Sequence, residues 1–185
     1  LERDQFELWY QPTWHAGEKT IHGFEALLRW RHPEQGVVLP NLFIPSLEQT
    51  GLIIPVGNWA IEAACRQLHF WTEQGFSQWT LSLNLSPIQF EQPDIFQIVS
   101  SMLEKYSLSP SRLILEVTES TALKNLDRSI ELLNAFNHAG IVVSIDDFGT
   151  GYSSLSVLKR FPIRKLKIDR SFISRIDCEA RQALF

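Results

Sequence analysis

The stretch "VVSIDDFGTGYSSL", residues 142–155, begins as an apolar strand, sets Asp146 and Asp147 side by side, and runs on into glycines and hydroxyls. A run of β-branched apolar residues of this length reads as a buried strand. Segments of the same kind recur on either side: "FELWY" (6–10), "HGFEALLRW" (22–30), "WTLSLNLS" (79–86), "RLILEVTE" (112–119), "IVVSIDDF" (141–148) and "RKLKIDRSF" (164–172). Helical patterns lie between them, over roughly 55–75, 93–106, 122–139 and 153–160. Pro93-Asp94 opens one helix, Gly140 stops another, and Pro162 separates the short helix from the last strand. This alternation predicts an α/β fold of parallel strands joined by crossover helices. Residues 31–51, rich in Pro and Gly, are too long for a simple turn and read as a wall for a pocket.

The polar residues at the strand ends form a series. Glu25 falls in the second segment, Asn84 ends "TLSLN", Glu116 ends "RLILE", Asp146 and Asp147 end "VVSIDD", and Lys167 sits in "RKLKID". From Asn84 the steps to Glu116, Asp146 and Lys167 are 32, 30 and 21 residues, each about one βα unit. A parallel barrel gathers successive strand ends on one face, and so does an open doubly wound sheet. The spacing does not separate the two folds. Carboxylates, an amide oxygen and a lysine, without His or Cys, make the oxygen-rich environment that Mg²⁺ and Mn²⁺ favour. Two adjacent aspartates can serve two ions roughly 3.5–4 Å apart, a clamp for phosphate-ester chemistry. Lys167 then orients or deprotonates a water, or stabilises developing negative charge. Taken singly, each residue has a blander role: a helix cap or loop hydrogen-bonder for Glu25 or Asn84, a cap and helix-dipole pair for Asp146-Asp147, a solvated surface lysine for Lys167.

Composition narrows the function classes. With 185 residues, 44% of them hydrophobic and 21% charged, the chain can bury a full core. A net charge of −4 leaves no basic footprint for a nucleic-acid polymer, while a local arginine or a metal could still hold a small anion. Cys65 and Cys178 belong to no CxxC pattern, which fits a reducing cytoplasm better than a disulfide framework. No apolar run approaches the ~20 residues that span a bilayer, and the N-terminus lacks the features of a signal peptide. Both ends read as cut from something longer, the last residues as the middle of an amphipathic helix. The "DFG" at 147–149 stands without the other kinase motifs, and the five histidines form no close metal pair. Of the six tryptophans, Trp30 beside Arg29 is the one placed near a ligand.

Several longer motifs, "GFEALLRWRHPEQGVVLPNLFIPSLEQTG", "SLNLSP", "LILEVTES", "SIDDFGTGYSSLSVLKRFP" and "KLKIDRSFI", resemble in order the signatures of the EAL domain, the bacterial cyclic di-GMP phosphodiesterase family. The resemblance covers essentially the whole chain, with E-A-L as Glu25-Ala26-Leu27. It implies a modified TIM barrel with one antiparallel strand that hydrolyses cyclic di-GMP to linear pGpG with two Mg²⁺ or Mn²⁺ ions. By motif, Glu25, Asn84, Glu116, Asp146 and Asp147 are the metal ligands, and Glu25 also belongs to the catalytic set. Lys167 contacts the nucleophilic water, and Glu119 anchors the loop "DFGTGYSS". Arg29 grips a phosphate as a guanidinium fork can, and Gln11, Leu28, Pro40 and Phe43 contact the guanine or its surroundings. The family also implies a homodimer and an upstream sensory or GGDEF-type domain, in a protein that is cytoplasmic or tethered to a membrane through other segments. The family's later motifs, an "EGVE"-type glutamate and a glutamine, are absent from these residues, and a full barrel takes about 250 residues. The expectation is therefore an incomplete domain, closing strands missing, with little activity on its own. The alternative function is a non-catalytic cyclic di-GMP receptor or a protein-interaction module of the same fold.

Overall fold

The sheet is organised by strand β2 (Thr20–His32), which pairs on one side with β1 (Phe6–His15) and on the other with β4 (Thr80–Asn84). The computed structural model describes residues 1, 3–149 and 160–173. Within them the sheet runs β1-β2-β4-β5-β6-β7, with β5 at Leu113–Thr118, β6 at Val142–Phe148 and β7 at Lys165–Ile168. The β1–β2 pair is antiparallel and every later pair on this path is parallel. A short β3 (Gly36–Val38) folds back on β2. The fold is thus α/β, a modified TIM-barrel arrangement whose first strand runs against the rest.

Helices cover the outer face. They are α1 (Pro40–Thr50), α2 (Ile53–Glu73), α3 (Pro87–Phe90), α4 (Ile95–Lys105), α5 (Glu119–Lys124) and α6 (Leu126–His138), with a short α7 (Arg170–Ile173) after β7. Their apolar stripes meet alternate strand residues: Leu81, Leu83, Leu113, Leu115, Val143 and Ile145 pack with Ile61 and Leu68 of α2, Ile95 and Val99 of α4, and Leu133 and Phe136 of α6. Each such side chain, fully buried, contributes about 1.5–3 kcal/mol. No helix among the described residues is long and apolar enough to cross a membrane.

Several sequence expectations shift. The helix expected over 122–139 is two helices, because Asn125 (φ −137°, ψ 88°) leaves helical geometry and accepts a hydrogen bond from Arg128 N at 3.4 Å, capping α6. The irregular insertion 31–51 contains β3 and α1, the latter begun by Pro40 at its first position. Asp94 stands at the cap position of α4 but its side chain makes no capping hydrogen bond. Gly140 does end α6, at φ 80° with its amide donating to Asn137 O. The last strand stops at Ile168, where Asp169 Oδ1 accepts from Ser171 N at 2.8 Å and starts α7. The short helix expected over 153–160 lies almost wholly outside the described residues.

Candidate active site

Strand residues alternate between the two faces, so the sheet register decides which side chains meet. Glu25 stands beside Ser82, Asn84 beside Glu116, Glu116 beside Ser144, Thr118 beside Asp146, and Ser144 beside Lys165. These residues share the face opposite the helices. The apolar positions between them face the core, which explains why runs that look uniformly buried in sequence carry a polar stripe on one side.

Lys167 gathers the stripe at the carboxyl ends of the strands. Its Nζ donates to Glu116 Oε2 at 2.6 Å, to Asp146 Oδ2 at 2.9 Å and to Glu25 Oε2 at 3.2 Å. Asn84 Nδ2 donates to the other oxygen of Glu25 at 3.0 Å. Asp146 Oδ1 accepts from the amide of Asp147 at 2.8 Å, while Asp147 itself is turned outward in the left-handed region (φ 54°). The structure therefore brings Glu25, Asn84, Glu116, Asp146 and Lys167 into one cluster, with Asp147 on its rim. Among the described residues no three His, Cys, Asp or Glu side chains stand ready to ligate a metal. The centre of the carboxylates is held by the ammonium.

The charges shape one another. Burial pushes the Glu116 carboxyl above the usual range against the pull of Lys167 and a hydrogen bond from Ser82. Burial works against the charge on Lys167, but its bonds to Glu116 and Asp146 outweigh this and hold the ammonium well above the ordinary lysine range. Asp147 is raised by partial burial, then by the charges of Asp146 and Asp169.

Around this cluster the remaining expected residues separate. Gln11 stands opposite Glu25 on β1 and shares its face. Arg29, two turns of the alternation above Glu25, lies on the same face. Leu28 lies on the other, and with Leu27, Pro40, Asn84 and Thr118 it lines a cleft of about 320 Å³ that takes in residues of both faces. Phe43 is only 4% exposed and does not line that cleft; it borders a separate hollow with Phe6 and Trp30. Trp30 is likewise on that hollow, against Phe43 and His32. Glu119, 3% exposed, accepts from Gly149 N at 3.0 Å through Oε2, so it holds the start of the loop after β6. Residues 150–159 of that loop are outside the described residues. Ser82, the hydroxyl behind Glu116, was not singled out from sequence; its position two before Asn84 in "TLSLN" is the signal that identifies it.

Fold and cluster together define an α/β fold of the modified TIM-barrel kind, with no pairing of β1 to β7 among the described residues and an acidic, lysine-centred cluster at its strand ends. The family model for the EAL domain matches residues 1–185, and the chain belongs to the EAL domain family. The bifunctional diguanylate cyclase/cyclic di-GMP phosphodiesterase MucR of Pseudomonas aeruginosa is 48% identical over 176 residues, 95% of this chain and 26% of that protein. The cyclic di-GMP phosphodiesterase NbdA of the same organism is 40% identical over 189 residues, covering 100% of this chain and 24% of that protein. The chain thus spans about a quarter of the length of these relatives. The solved structure of the PaMucR phosphodiesterase in complex with c-di-GMP matches with a TM-score of 0.90 at 48% identity, covering 94% of this chain and 70% of that one.

Proposed function

We propose that this chain is a cytoplasmic phosphodiesterase domain that hydrolyses cyclic di-GMP to linear pGpG with two Mg²⁺ or Mn²⁺ ions. The observation that carries the reading is the convergence of Glu25, Glu116 and Asp146, from three strands, on Lys167 Nζ at 2.6–3.2 Å. Relatives that are named cyclic di-GMP phosphodiesterases support the choice of substrate.

The donor set fits the ions. Its carboxylates and the Asn84 amide offer the oxygen ligands that a hard divalent cation takes, and three of the carboxylates converge on one point, which the Lys167 ammonium would yield to the ions. Glu25, Asn84, Glu116, Asp146 and Asp147 would hold them. Bound there, the ions would supply Lewis acidity toward the phosphodiester and the attacking water. The chain's own part is to position and to balance charge. Lys167, held as an ammonium, donates a hydrogen bond to the water and offsets charge that builds on the phosphate. Arg29 binds phosphate oxygens with a fork of N–H groups. Leu28 and Pro40 line the cleft beside the cluster for a guanine, Gln11 approaches from β1, and Phe43 supports the wall from behind. In the reaction the water oxygen bonds to phosphorus and the bond to one ribose 3′ oxygen breaks. That oxygen leaves as a hydroxyl with a proton from the water, and pGpG keeps the 5′-phosphate. A GGDEF-type or sensory domain in the same protein, and a second copy as dimer partner, complete the proposal.

The test is incubation of the full-length protein with cyclic di-GMP and Mg²⁺ or Mn²⁺, with products separated by anion exchange. Formation of pGpG that stops on chelation is expected. Binding that leaves cyclic di-GMP uncleaved would make the domain a receptor, and neither binding nor cleavage would make it an interaction module.

A further inference from the structure

Strand β1 carries a residue that the phosphodiesterase reading leaves unused. Trp9 is 48% exposed although it lies on the polar inner face, two residues from Gln11 and across from Leu27. Its indole ring lies under the Arg29 guanidinium, with Cζ 5.3 Å from the ring centroid. Its edge is fixed as well, since Nε1 donates to Glu7 Oε1 at 2.8 Å.

The neighbouring charges give the stack its meaning. By strand register Glu7 is directly opposite Arg29 and would be its natural ion-pair partner. Instead Glu7 is occupied by Arg31, which reaches it through Nε at 3.2 Å and Nη2 at 2.8 Å. Arg29 donates from Nη1 to Leu28 O at 2.9 Å, and its Nε is buried with no hydrogen-bond partner. The guanidinium is thus held by a neutral π face and kept from the nearest carboxylate. A carboxylate in that place would cancel the charge, whereas an aromatic face fixes the plane and leaves the charge for an incoming anion.

We propose that Trp9 is a positioning residue for Arg29, holding the guanidinium flat and charged for a phosphate of the bound dinucleotide. This rests on the phosphodiesterase reading of the site, so the test separates the two. The Arg29 Nε–H proton resonance of the full-length protein, assigned by its loss in Arg29→Lys, is read first without ligand. It is expected upfield of the ordinary arginine position because of the indole ring current, and back at that position in Trp9→Ala. An ordinary position in the unaltered protein overturns the proposal whatever ligand binds. A shifted resonance in a protein that binds no cyclic di-GMP sinks the substrate reading and leaves the stack standing.

Affinity for cyclic di-GMP is then measured by calorimetry for Trp9→Ala, Arg29→Ala and the double variant. Loss of an exposed cation–π contact weakens binding about two- to fivefold, and Trp9→Phe, which keeps a ring face, recovers most of it. In the Arg29→Ala background the Trp9→Ala change is expected to have no further effect, because Trp9 acts through Arg29. Trp9→Glu is expected to be the most damaging single change, weakening binding by about tenfold or more through neutralisation of the guanidinium. Additive effects of the two alanine substitutions would mean that Trp9 touches the ligand itself and would overturn the positioning role, as would unchanged affinity in Trp9→Ala. Melting temperatures confirm that the variants fold.

Discussion

Lys167 Nζ stands 2.6 Å from Glu116 Oε2, and the glutamate is 1% exposed. A nearly buried carboxylate on β5 therefore leans chiefly on a lysine two strands away, with the Ser82 hydroxyl behind it, for its charge to be tolerable.

Lys167→Met should accordingly destabilise the fold. Breaking a buried pair costs about 3–5 kcal/mol, and the lower end applies because the lysine side chain is 28% exposed. Adding Glu116→Gln should recover most of the loss, since the stranded charge is gone. Urea unfolding of the unaltered protein and of the single and double variants measures this, and an unchanged midpoint in Lys167→Met would contradict it.

The backbone at Asp147 separates stability from function. Its φ of 54° is one that Asn tolerates and Ala does not. Asp147→Asn should keep the melting temperature, or raise it by relieving repulsion with Asp146, while Asp147→Ala should lose about 1 kcal/mol. Both should lose turnover. Equal stability in the two would show that the left-handed geometry carries no strain.

Gly149 is caught between two partners. It has φ 97°, its amide donates to Glu119, and a methyl on it would stand 2.5 Å from the Phe172 ring. Gly149→Ala should cost more than about 1 kcal/mol through clash and conformation together. Phe172→Ala added to it should restore only the steric share. Thermal melts of the single and double variants read the difference, and full restoration would mean that the backbone angle is unimportant.

Burial pushes the Cys65 thiol from its ordinary value of 9.0 up to about 12. Because the folded value is the higher, this group's stabilising effect is complete below about pH 9 and fades as pH rises toward 12. In a Cys178→Ser variant the remaining thiol should resist a thiol reagent at pH 8 and react only as fast as the chain opens. Rapid labelling of the native protein would contradict the buried placement.

Much of the site was legible because period-two alternation and one-unit spacing are both written in the chain. Glu25, Asn84, Glu116, Asp146 and Lys167 each occupy the polar phase of an apolar strand, and they meet. The same alternation sets Leu28 and Arg29 on opposite faces of β2, since adjacent strand residues point to opposite sides. What spacing could not show was contact made across strands. Lys167, taken alone, read as a surface lysine, and its three carboxylate partners are 142, 51 and 21 residues away. The break at Asn125 was hidden for another reason. The apolar pattern continues across it, and only the asparagine's preference for capping marks the boundary.

The central claim is that this carboxylate cluster is a metal-dependent catalytic centre. Titrating the full-length protein with Mn²⁺, followed by electron paramagnetic resonance and paired with turnover of cyclic di-GMP, tests it most directly. The expected result is two ions bound per chain, with binding and turnover both lost in Glu116→Gln and Asp146→Asn. Turnover that persists in those variants, or Mn²⁺ binding that they leave unchanged, would contradict it.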